Sequence, residues 1–283
     1  MQGPSPRSLI LDLLSTLRPG HTMPVGLLVE AGGLFGIADG TLRVALARLL
    51  SSGRVERDER GAYRLSAAAA PLQQTIGRWR ARETTPEPWD GGWWAVLEGP
   101  RPRGATARQH DQALRLHGLA QLEPRLWVRP ANLAGDCAAL RTSLASIGLA
   151  PGSRVFAAED FDAQTEDQAR ALWDVDALRE GYAQGLAALA ESEARLPTLE
   201  RDAAMCESFR VGGRVLQQLV LDPKLPAAIL EPAPRVALTQ AMRRYDRAGR
   251  EVWAALLARY DVPHRQTPAD AGYDTRVDRV VAA

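Results

Sequence analysis

Leu34 to Leu65, LFGIADGTLRVALARLLSSGRVERDERGAYRL, decides how the rest of the chain is read. Leu42, Leu46, Leu49 and Leu50 recur at i, i+4, i+7 and i+8, one face of an amphipathic helix. The other face carries Thr41, Arg43, Ala47, Arg48 and Ser51, which are small or cationic side chains. After Gly53 come two short alternating runs, Arg54 to Arg57 and Ala62 to Leu65, joined by Asp58-Glu59-Arg60-Gly61. A glycine closing that connector suits a positive φ in a hairpin turn. A helix followed by a basic hairpin is the outline of a winged helix-turn-helix, a module that reads DNA.

Outward from that stretch, Ser8 to Leu17 predicts a first amphipathic helix, stopped by Pro19-Gly20. Pro24 opens a second over Val25 to Phe35, in which Gly32 and Gly33 each cost about 1 kcal/mol relative to Ala. Asp39 stands at or next to the N-cap of the third. With a connecting helix over Pro71 to Arg82, residues 1–82 read as one winged-helix domain. They carry 11 arginines against 6 acids, a net of +5, whereas the remaining residues sum to −4. The overall +1 therefore conceals a basic head on an acidic body, and the head suits a polyanion. Within it, Thr41, Arg43, Ala47 and Arg48 would meet base edges or phosphates in the major groove. Arg57, Arg60 and Arg64 of the hairpin would meet phosphates. The competing reading of Arg43 and Arg48 is a solvated helix face.

Glu83 to Gly92, ETTPEPWDGG, is a linker by composition. Beyond it, Trp93–Leu97, Thr106–Leu116, Leu126–Val128, Gly135–Ile147 and Arg154–Ala158 follow a β-α-β-α-β order, to be completed by a further strand or helix. That order predicts a ferredoxin-like α/β domain over 93–162. Apolar stripes at helical spacing then mark a helical C-terminal domain over 163–262: Leu178, Tyr182, Leu186 and Leu189; Met205, Phe209, Leu216 and Val220; Leu238, Met242, Tyr245, Val252, Trp253 and Leu256. Weak periodicity over 263–283 reads as a loose tail. The fold class is α+β: an N-terminal winged helix-turn-helix, a central ferredoxin-like α/β domain and a helical C-terminal domain.

At 46% hydrophobic and 24% charged, 283 residues have an ordinary globular composition. No apolar run approaches the ~20 residues that span a bilayer, and Asp12 interrupts the only N-terminal stretch resembling a signal sequence. Cys137 and Cys206 form no CxxC, which suits buried thiols in a reducing cytoplasm. His21, His110, His117 and His264 lack zinc-ligand spacing, and neither phosphate-loop nor hydrolase motifs occur. These features predict no enzyme, no metal and no resident cofactor. Trp89, Trp93 and Trp94, with Trp127 on the next strand, either pack the linker onto the sheet or wall a ligand pocket. Arg101, Arg103 and Arg108, ahead of and inside a helix N-terminus, are either phosphate ligands or an exposed basic loop. The candidate ligand set is thus Trp93, Arg101, Arg103, Arg108 and Trp127.

Five segments in this order and spacing resemble the PaaX-like transcriptional regulators, the phenylacetic acid degradation repressor family. They are LFGIADGTLRVALARLLSSGRV at 34–55, PWDGGW at 88–93, LRLHGLAQLEPRLWVRP at 114–130, LWDVDALREGY at 172–182 and LDPKLPAAIL at 221–230. The resemblance implies a dimeric, cytoplasmic repressor released from its DNA operator by an aryl-acetyl coenzyme A, phenylacetyl-CoA in the best-known members. It implies that Arg43 and Arg48 occupy the basic positions of the family's recognition helix, and that the central domain is similar to small CRISPR adaptation nucleases. Ala38 departs from the family's usual Ser cap. Glu98-Gly99-Pro100 departs from the Asp such nucleases carry after their first strand. Two alternatives follow: a DNA-binding regulator with no small-molecule effector, and a metal-dependent ribonuclease using Glu98.

Overall fold

A computed structural model describes residues 3–18, 20–69, 72 and 89–263. The helix expected at Pro71 to Arg82, apart from Leu72, most of the linker and the tail from His264 lie outside the described residues. The chain forms two compact units interleaved in sequence: residues 1–70, 192–210 and 244–283 make one, and 71–191 with 211–243 make the other.

The first unit begins with α1 (Pro6–Ser15), whose N-cap Ser5 accepts a hydrogen bond from the Ser8 amide at 3.1 Å. A two-residue strand β1 (Met23–Pro24) leads into α2 (Val25–Leu34), and a short turn leads into α3 (Asp39–Ser51). The hairpin β2 (Val55–Arg57) and β3 (Ala62–Leu65) follows, and β1 joins it in an antiparallel sheet of order β1-β3-β2. Helix, strand, two helices and a hairpin whose sheet takes in the first strand make a winged helix-turn-helix. Its core is Leu9, Ile10, Leu13, Leu27, Leu28, Leu42, Leu46 and Leu49, closed by Val55 and Tyr63 of the wing. Gly32 serves close approach rather than flexibility, since a Cβ there would lie 2.6 Å from Leu42 Cδ1. The residue that weakens α2 on propensity is what lets α3 approach it.

In the second unit, β4 (Trp93–Leu97), α4 (Gly104–Leu116), β5 (Ala120–Glu123), β6 (Leu126–Pro130), α5 (Cys137–Ile147) and β7 (Arg154–Ala158) form a β-α-β-β-α-β sandwich. The sheet order β5-β6-β4-β7, with every neighbouring pair antiparallel, is the ferredoxin-like arrangement. The added element is β5, four residues long and paired with β6 through an irregular register. Alternation along β4 splits its side chains: Trp94 and Val96 pack under α4 and α5, while Trp93 and Ala95 face the other way. That second face is covered by Trp89, Phe161, Leu172, Trp173 and Ile229 together with Ala169 of α6 (Ala163–Arg170).

Three long helices follow: α7 (Val175–Arg195), α8 (Arg201–Leu221) and α9 (Ala233–Arg259). Residues of each contribute to both units, so 163–262 is apportioned between them rather than standing as a separate body. In the second unit, buried Asp222 accepts from the Tyr182 hydroxyl at 2.5 Å and the Lys224 amide at 2.8 Å, fixing the loop between α8 and α9. Burial pushes the Asp222 carboxyl up, against the hydrogen bond from Tyr182. In the first unit, Met205, Trp253, Leu256 and Leu257 complete the core of the head.

Candidate nucleic-acid interface

The outward face of α3 is positioned from behind. Leu42, Leu46 and Leu49 are each no more than 2% exposed and lock the helix by its inner ridge. The turn before α3 is held from the same unit: Phe35 packs on Phe209 with ring centroids 5.1 Å apart, and Cys206 Sγ donates to the Leu34 carbonyl at 3.1 Å. On α2, Glu30 accepts from the Tyr260 hydroxyl at 2.8 Å and pairs with Arg259. The Tyr260 hydrogen bond is the main reason the Glu30 carboxyl sits below its ordinary range.

Ala38 is the N-cap of α3 and supplies no side-chain hydrogen bond. Asp39 is the first helical residue, where its charge favours the positive end of the helix, and it accepts from Arg43 Nε at 2.6 Å. An exposed i,i+4 pair of this kind is worth only about 0.3–0.5 kcal/mol, so Arg43 can exchange Asp39 for another anion. At about 100° per residue, Arg43 lies toward the flank of α3, whereas Thr41, Ala47 and Arg48 point away from the core. All four are exposed. Arg48 has no ion-pair partner among the described residues. Sequence patterning passes over Val44, which stands between these residues and is 52% exposed.

The wing is shaped by Asp58. Its Oδ1 accepts from the Arg60 and Ala62 amides at 2.9 and 2.8 Å, and its Oδ2 accepts from the Thr22 hydroxyl at 2.8 Å. Those bonds, Thr22 foremost, hold its carboxyl below the usual carboxylate range. Gly61 has φ +81°, the left-handed turn position its place in the connector predicts. The three wing arginines differ in their ties. Arg57 lies over the Tyr63 ring at 5.9 Å, Arg64 Nε pairs with Glu56 at 2.9 Å across the strands, and the Arg60 side chain at the tip is exposed, with no side-chain hydrogen bond or ion pair among the described residues and only the nearby charge of Asp58. A fourth cation is one the motif does not single out: Arg54, half-buried, is lowered first by burial and then by the nearby charge of Arg7.

The candidate ligand residues are only partly brought together: Arg101 Nη1 stands 3.6 Å from Glu98 Oε1, the oxygen to which Trp127 donates, whereas Trp93 lies on the other face of the sheet. Trp93 is 1% exposed, stacks with Phe161 and Trp173 at 5.9 and 6.4 Å, and donates to Glu166 at 2.8 Å, so it has no free face for a ligand. Trp127 lies against the helix-covered face of the sheet, opposite Trp93, and donates to Glu98 at 3.0 Å. Arg101 is bound to Asp111 at 2.9 Å, and Arg103 and Arg108 are exposed at the start of α4. Packing, one of the two readings open for the tryptophans, accounts for Trp93. Glu98 is turned inward: His110 Nε2 meets its Oε1 at 2.8 Å, and the Ala150 amide donates to His110 Nδ1 at 3.0 Å. Since Nδ1 accepts, the ring proton lies on Nε2 and is given to Glu98. Among the described residues no group of three or more His, Cys, Asp or Glu is placed to hold a metal ion. Nor, among those residues, is any helix long and apolar enough to cross a membrane.

Comparison with known proteins agrees with this geometry. Residues 5–69 match the family model described as PaaX-like protein. Among solved structures, the uncharacterized protein Rv0674 from Mycobacterium tuberculosis is similar over 89% of this chain and 98% of its own, with 25% identity and a TM-score of 0.55. No curated protein matches.

Proposed function

We propose that this chain, PaaX-like in its head, is a transcriptional repressor that binds operator DNA through α3 and the wing. The carrying observation is the outward face of α3, clamped from behind and open in front, beside a wing whose tip arginine is unpaired among the described residues. The PaaX-like match over 5–69 supports a regulator of the phenylacetic acid pathway at the level of the family. In this reading Thr41, Ala47 and Arg48 face the major groove, with Arg43 at its edge. Arg57, Arg60 and Arg64 lie along the phosphates, and Arg7 with Arg54 takes a further one. The protein acts in the cytoplasm as a homodimer on a two-fold symmetric site. An aryl-acyl-CoA such as phenylacetyl-CoA releases it by binding the DNA-free state more tightly.

The test is a mobility shift with the chain's own upstream DNA across a salt series. Tight binding that weakens steeply with salt is expected for wild type and not for the Arg43→Ala, Arg48→Ala double variant. Undiminished binding by that variant overturns the assignment to α3. Release by phenylacetyl-CoA, but not by phenylacetate or CoA, tests the effector. Calorimetric silence toward all three would leave a DNA-binding regulator without a small-molecule effector.

A further inference from the structure

The outermost position of α3 is held by an apolar side chain. At about 100° per residue, Val44 lies opposite the ridge of Leu42, Leu46 and Leu49. At 52% it is the most exposed bulky apolar side chain among the described residues. It is absent from the residues packed against the head's core. Val is a poorer helix former than Ala, so neither packing nor helix stability accounts for it. Its neighbours on the open face, Thr41, Ala47 and Ser51, are too short to reach past it, and the longest, Arg48, is cationic. Beside the longer, cationic Arg48, Val44 is therefore the apolar group that a base edge at this face would meet.

An apolar, β-branched tip has one complementary group in the major groove, the C5-methyl of thymine; the other functions exposed there are hydrogen-bond donors and acceptors. Burying an acceptor against Val44 would leave it unpaired, which biases against guanine at that step, while the methyl loses only water. We propose that Val44 is a specificity-determining residue that reads a thymine 5-methyl group at a fixed position of the bound duplex. This rests on the DNA-binding reading above and deepens it, since Arg48 and the wing bring the duplex to the protein whereas Val44 discriminates among sequences.

The experiment takes duplexes selected from a random pool by the full-length chain. Each thymine of the selected site is replaced singly by deoxyuridine, which removes the methyl and nothing else, and binding is compared by competition. Wild type should lose about fourfold, the worth of one buried methyl, at one thymine or at that thymine and its symmetry mate. V44A and V44S should show no loss at that position and keep the wild-type salt dependence. Two small variants at a solvent-facing site, checked by their thermal midpoints, keep the comparison independent of any single variant's folding. Indifference of wild type to every replacement overturns the proposal and marks Val44 as an ordinary surface residue; so does undiminished methyl sensitivity in both variants. Failure of wild type to bind any duplex in a salt-sensitive manner would instead overturn the DNA-binding reading on which the proposal rests.

Discussion

Arginine serves opposite ends in the two units. In the second, Arg129 is 1% exposed and bonded through each of its three nitrogens: it donates to the carbonyls of Pro130 at 3.1 Å, Pro223 at 3.3 Å and His117, and to Asn132 Oδ1 at 3.0 Å. It also lies over the Trp94 ring at 6.0 Å. Burial pushes its guanidinium down to about 9, against the favourable charge of Asp222, which still leaves it cationic at neutral pH. In the first unit, Arg48 and Arg60 are exposed and unpaired among the described residues, and Arg43 and Arg64 hold carboxylates only at the surface. Where every guanidinium nitrogen is bonded within the fold, the cation is a fastener. Where donors are left to water, it is available to a partner with phosphates.

The contrast breaks most visibly at Arg129. R129A strands several buried carbonyls and leaves a void, and should cost about 3 kcal/mol or more in denaturant unfolding. A midpoint equal to wild type would show that this network contributes nothing. At the open end the consequences reverse. R48A and R60A should leave stability within about 0.5 kcal/mol while lowering the slope of log affinity against log salt by roughly one for each phosphate no longer neutralised. A lost fold with an unchanged slope would exchange the two roles.

Asp58 lies between these extremes, since it holds the wing in shape without touching a partner. D58A removes the acceptor for three donors and should lower the thermal midpoint. Because the folded carboxyl is held below its unfolded value, its contribution is present at neutral pH and disappears as pH falls through the folded pKa. The stability gap between wild type and D58N should therefore close on acidification; a gap that widened would contradict the hydrogen bonds seen at the wing. The smallest effect is expected at Arg43. R43A should lose no more than about 0.5 kcal/mol of helix stability with its Asp39 pair. It should weaken DNA binding less than R48A, because Arg43 is on the flank of α3. A larger loss than R48A in the same mobility shift would move the groove-facing side of the helix.

Much of the fold is legible locally. Leucine spacing in α3, the Asp-Glu-Arg-Gly connector and the strand–helix alternation after Trp93 follow from periods of 3.6 and 2 and from turn chemistry, which neighbouring residues alone express. The strand β5 escapes this reading because Ala120–Glu123 is too short for a period, and only its pairing with β6 makes it a strand. In the candidate site, Thr41, Ala47, Arg48 and Arg60 are exposed where their positions on helix and hairpin put them. Val44 falls on that open face by the helical period alone, and packing shows it left out of the core. Packing also separates Trp93 from Trp127. Nearness in sequence or on adjacent strands does not say which face of a sheet a side chain takes, whereas the register Val96↔Trp127 does.

What the sequence determined by itself is the winged head, its basic charge and the sandwich that follows, because each rests on local periodicity, on turns and on a simple sum of charges. Only the tertiary structure decided which arginines are spent and which are open, that Glu98 serves His110 and Trp127 inside the fold, and that the long helices supply part of the head's core. Those outcomes depend on residues far apart in the chain, Leu34 with Cys206, Glu30 with Tyr260, Arg129 with Pro223, whose meeting is a property of packing that no window of neighbouring residues contains.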